Sequence, residues 1–131
     1  MKYVKVYADE AGETHFAEVE LPTTLGTFPT SPSLELLSEV IPVKGVYFRE
    51  IVEDHPPEEP HCAPARIFIV HLRGAVEVTV SDGERREFGP GSIVLMDDTY
   101  GKGHRTRSIG EVPRVTLIVQ LEPDGTDRAG S

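Results

Sequence analysis

The chain has 131 residues, of which 38% are hydrophobic and 27% charged, proportions that suit one soluble globular domain. Thirteen Lys and Arg against 22 Asp and Glu leave a net charge of −9, the wrong sign for gripping a phosphate backbone, so no nucleic-acid partner is expected. No apolar run approaches the ~18 residues that cross a bilayer as a helix. Met1-Lys2-Tyr3-Val4-Lys5 opens no signal-peptide core, and the single cysteine, Cys62, allows no internal disulfide. These features predict a cytoplasmic protein with no membrane partner.

In chain order, residues 3–7 and 15–21 alternate apolar and polar, which predicts two strands joined by a turn over residues 9–12. Residues 22–42 are rich in Pro, Thr, Ser and Gly and read as a loop. Within it, Ser31-Pro32 supplies an N-cap and a first-turn proline, and Leu34, Leu36 and Leu37 follow, which predicts one short helix. Residues 45–52 form the next expected strand, and residues 53–60 an acidic, proline-broken loop. From Arg66 onward Ile67, Ile69 and His71 share one face, and Phe68, Val70 and Leu72 the other, as in a central strand covered on both sides. Val76, Val78 and Val80 share a face of the following strand. Asp82-Gly83 predicts a type I′ hairpin turn, and Gly89-Pro90-Gly91 a tight turn into Ile93-Val94-Leu95-Met96. Short strands are expected near residues 105–109 and 115–121, with a frayed tail over 122–131. Eight or nine strands with Gly/Pro punctuation predict a single all-β domain, an antiparallel sandwich or small barrel.

Residues 61–74, HCAPARIFIVHLRG, resemble the first motif of the cupin family, in which His-x-His and a later Glu precede a strand ending in Gly. Asp82-Gly83 and Phe88-Gly89-Pro90-Gly91 resemble the hairpin and turn between the family's two motifs, and His104 falls where the second motif carries its histidine. The resemblance covers residues 46–121. It implies an antiparallel jelly-roll barrel, flanked by N-terminal strands over 1–21 and the 22–42 loop. It also implies a divalent metal (Fe, Mn, Ni or Zn) inside the barrel, for which His61 and His104 match ligand positions. Ala63 and Ile67 occupy the other two, so the expected metal site is reduced or absent.

The function implied is that of a small-molecule-binding cupin, with a pocket lined by His61, Ile67, Ile69, His71, Tyr100, Lys102 and His104. The alternative is a metal-dependent cupin enzyme (oxygenase, isomerase or lyase) using His61 and His104; the residues leave open whether the chain is an enzyme. A third reading is a structural module with a filled core. The face carrying Phe68, Val70 and Leu72 needs a cover, which predicts a homodimer. Cys62 reads as an unreactive thiol. Asp97 and Asp98 are sequential, so they face opposite ways and cannot share a proton. Arg66 is expected to pair on the outer side, while the face of Arg49 stays open. Glu50, Glu53, Asp54, Glu58 and Glu59 read as a solvated surface.

Overall fold

The computed structural model describes residues 1–27 and 32–123. Eleven strands run in the order β1 (Lys2–Ala8), β2 (Thr14–Glu20), β3 (Thr23–Gly26), β4 (Glu35–Ser38), β5 (Val43–Ile51), β6 (Ile67–Arg73), β7 (Ala75–Val80), β8 (Arg85–Phe88), β9 (Ile93–Met96), β10 (His104–Ile109) and β11 (Arg114–Leu121). Strands stand wherever period-2 alternation predicts them. Among the described residues there is no helix. Leu36 and Leu37 lie on β4, which pairs antiparallel with β3 through Leu25↔Leu36, so the short-helix expectation is corrected where it can be checked; its N-cap, Ser31, lies outside the described residues. The described residues of the 22–42 segment thus hold two paired strands rather than a loop, and the expected frayed tail is described only as far as residue 123.

The strands form three separate open sheets, not a closed jelly-roll barrel. The largest has the order β2-β1-β9-β6-β11-β5; the second is β10-β7-β8, and the third is the β3-β4 hairpin. Closure requires a ladder to continue past an edge strand, and here it does not. Between the two larger sheets, the free edge of β10 makes one isolated bridge, His61↔His104. Near Thr14 on edge strand β2, the link to the second sheet is made by single bonds such as Thr14 N–H to Ser81 Oγ, 2.7 Å. Nor is the pairing wholly antiparallel, since β1 runs parallel to β9.

The two larger sheets meet face to face. Val6, Ile67, Ile69, Val94, Met96 and Ile118 of the first bury against Val76, Val78, Val80 and Phe88 of the second. The opposite face of the six-stranded sheet holds a smaller cluster of Tyr3, Phe68, Leu95 and Leu121, where the Tyr3 and Phe68 rings meet edge to face at 5.1 Å. Both faces of β6 are thus apolar for the reason its sequence suggests: each has a cover. Beyond that cluster the outer face lies open, with Val46, Phe48 and Leu72 exposed.

Turn chemistry sets the connections. The β7–β8 link departs from the expected type I′ turn, because Asp82 does not have positive φ. Within that link only Gly83 does, at 99°, and the loop closes by Val80 N–H to Glu84 O at 3.0 Å. This is the geometry of a three-residue loop ending in a left-handed glycine.

Candidate functional site

Between the two packed sheets lies a cleft of about 180 Å³. Its walls are apolar where the core reaches it, at Ala63, Ile67, Ile69, Val76, Val78 and Met96, and polar elsewhere. His104 begins β10 on one side of it, and Ser108 stands four residues further along the strand, roughly 13 Å away. These two positions mark two different chemical environments.

At the first, His61 and His104 exchange main-chain bonds: His61 N–H to His104 O at 3.0 Å and His104 N–H to His61 O at 2.9 Å. The bridge brings their rings to 4.9 Å between centroids. Gly103 permits it. Its φ of +74° is left-handed, and a Cβ there would stand 2.5 Å from the carbonyl carbon and oxygen of His61. His104 Nδ1 lies 2.5 Å from Asp98 Oδ2, and the Asp98 side chain is fully buried. A carboxylate at Nδ1 favours the tautomer with the proton on that nitrogen and leaves Nε2 as the basic atom. The second carboxylate oxygen, Asp98 Oδ1, has no hydrogen-bond partner. His61 has a lowered pKa, first because of burial and next because of the neighbouring His104, with Asp98 opposing both.

At the second, three polar residues stand side by side across β5, β11 and β6. Thr116 pairs with Arg49 on one flank and His71 on the other. Arg114 lies two residues before Thr116, is 5% exposed, and donates from Nε to Ser108 Oγ at 3.0 Å. Arg49 Nε, His71 Nδ1 and Thr116 Oγ1 are buried without a hydrogen-bond partner. Burial, then the charges of Arg114 and Arg49, push His71 down to about 4, so it is neutral at physiological pH. Burial and then Arg49 also lower Arg114, while Asp54 acts the other way. Asp54 accepts the Ser108 N–H at 2.7 Å.

Of the residues expected from sequence to form a pocket, His61, Ile67, Ile69, His71 and His104 line this cleft. Tyr100 and Lys102 do not. The Tyr100 hydroxyl donates to the main-chain oxygens of Ala8, 3.0 Å, and Asp9, 3.2 Å, and Lys102 Nζ pairs with Glu13 at 3.2 Å. Cys62 donates to Gly101 O at 3.3 Å, and Arg66 pairs with Asp97 at 2.6 Å. Arg49, a candidate for the pocket wall whose face the sequence left open, does line the cleft. Asp98, weighed only as a partner for Asp97, engages His104 instead, and Arg114 is the residue that sequence reasoning missed. A signal existed for Arg114, because Arg114 and Thr116 share a face with the buried Ile118.

No protein-family model matches the chain, and a search of curated proteins finds no match. The cupin resemblance is overturned by the topology. Three open sheets replace the closed barrel, so there is no barrel interior to hold the implied pocket. The implied metal site does not fit either. Ala63 and Ile67 carry no donor atoms, Asp98 engages His104 Nδ1, and among the described residues no three His, Cys, Asp or Glu side chains form a group that could hold a metal ion. Neither the small-molecule-binding cupin nor the metal-dependent cupin enzyme survives as a description of this chain.

Proposed function

We propose that the protein is an acid–base catalyst, moving a proton to or from a small organic substrate held between its two larger sheets. The observation that carries this reading is the buried Asp98 carboxylate on His104 Nδ1. A carboxylate withdrawn from water beside an imidazole orients the ring and stabilises the imidazolium formed when Nε2 takes a proton. His61, whose pKa is lowered by burial and by its neighbour His104, favours the uncharged imidazole, whose N–H can donate to negative charge developing on the substrate. The apolar walls beside the buried His104 lower the local dielectric and strengthen its interaction with Asp98.

Benzisoxazole ring opening, a generic proton-abstraction reaction, tests the reading without knowledge of the natural substrate. The wild type is expected to accelerate it above the same concentration of free imidazole. His104→Gln should remove about a hundredfold or more of that rate, the usual scale for a positioned base. Asp98→Asn should lower it less and shift the ¹⁵N resonances of the His104 ring away from the Nδ1–H tautomer. A wild-type rate no better than imidazole, or one unchanged in His104→Gln, would overturn the proposal.

A further inference from the structure

The arginine end of the cleft is not explained by proton transfer. Arg49 and Arg114 stand close enough for each to oppose protonation of His71, and neither forms a salt bridge among the described residues. Arg114 is buried and Arg49 half-buried with its Nε shielded, and guanidinium groups without a carboxylate partner rarely sit so, because each loses hydration and repels the other. The rest of the protein makes the pair conspicuous. In a chain with 22 acidic residues, Asp54 is the only acidic one among the described residues that lines this cleft.

We infer that Arg49 and Arg114, with His71 beside them, form a subsite for the carboxylate of a small organic acid. Two guanidiniums less the one Asp54 charge leave a single positive charge, which a monoanion neutralises and a phosphate dianion overshoots. Two buried polar atoms of lining residues here, Arg49 Nε and His71 Nδ1, are without partners. A planar carboxylate accepts from a guanidinium through two parallel N–H bonds and has lone pairs to spare for an imidazole N–H. Size agrees with this choice. A volume of about 180 Å³ is close to the ~150 Å³ that encloses a benzene-sized ligand. Where the acid–base reading holds, this organic acid is the substrate: the carboxylate anchors one end while the reacting atom lies toward His104, and Thr106 of β10 lines the cleft between them.

Anion binding can be measured separately from catalysis. Benzoate, acetate, inorganic phosphate and the uncharged benzamide would be titrated into the full chain, followed by melting temperature and by amide resonances of β5 and β11. Benzoate is expected to raise the melting temperature, with benzamide weaker by about tenfold or more, the worth of one charge-assisted contact. Arg49→Met should abolish the benzoate response. It should leave the melting temperature of the ligand-free protein unchanged or higher, because a like-charge contact is removed. His104→Gln should bind benzoate as the wild type does while losing proton transfer, so failure of one reading leaves the other standing. Absence of a response to both carboxylates, equal affinity for benzamide, tighter binding of phosphate, or a clear fall in the stability of ligand-free Arg49→Met would each overturn the carboxylate subsite.

Discussion

His71 shows how one residue can belong to two arguments. Its ring lies nearly parallel to Phe88, at 6.2 Å and 13°, as a core side chain would, yet its Nδ1 has no partner. Burial and the two arginines hold it at about 4 when folded, against ~6.5 in an unfolded chain. Between those values the unfolded chain binds the additional proton, so stability is lost as pH falls through that window, by up to about 3 kcal/mol. His15 works in the opposite sense. Its hydrogen bonds to Asp9 and Asp82 raise its pKa, and the stability they bring is lost as pH rises through that raised value. Urea denaturation of wild type and His71→Gln at about pH 7 and about pH 4.5 separates the two. The wild type is expected to lose more stability than the variant over that interval; parallel losses would remove His71 as the cause. Little of this was legible beforehand. Alternation places His71 on the face of Ile67 and Ile69, but Arg49, Thr116 and Arg114 come beside it only through pairing between strands distant in sequence.

Elements were more legible than residues, because period-2 alternation is a local property and turn glycines mark where it stops. The segment around β3 and β4 was the exception. Its Leu34, Leu36 and Leu37 suit a helical turn about as well as a strand, and only the β3–β4 register decides between them. That hairpin also stands apart energetically. It pairs with itself alone and leaves Leu25, Leu34 and Leu36 more than half exposed. A two-stranded hairpin without a covered apolar face is marginal in water. Amide hydrogen exchange should therefore be faster in β3 and β4 than in β1, β6 and β9, whose backbones lie inside the six-stranded sheet. Equal protection would mean that the hairpin has a cover in solution.

For the whole molecule, strand spacing with Gly/Pro punctuation indicated the correct class, all-β, and family likeness indicated the wrong architecture. The turns around Asp82-Gly83 and Gly89-Pro90-Gly91 are common to many antiparallel folds. Whether a sheet closes depends on ladders at its edges, which no local motif encodes. Charge acts at this scale too. With a net −9, long-range repulsion opposes the folded state, and the surface pairs that relieve it, such as Lys2–Glu18 at 4.0 Å, are exposed and individually weak. Going from about 10 mM to about 0.15 M salt shortens the Debye length from roughly 30 to 8 Å. The melting temperature should then rise by about 2–5 °C. A fall would mean that short-range pairs outweigh the general repulsion.

Gly103 has a consequence for how this region could change over time. Its α-carbon presses so closely on the backbone of His61 that even one added methyl would collide with it. The spacing of the two imidazoles is consequently a property of the main chain, independent of which side chains it displays. Substituting either ring would leave the scaffold ready for some other reagent, whereas enlarging the smallest residue nearby would pry the scaffold apart.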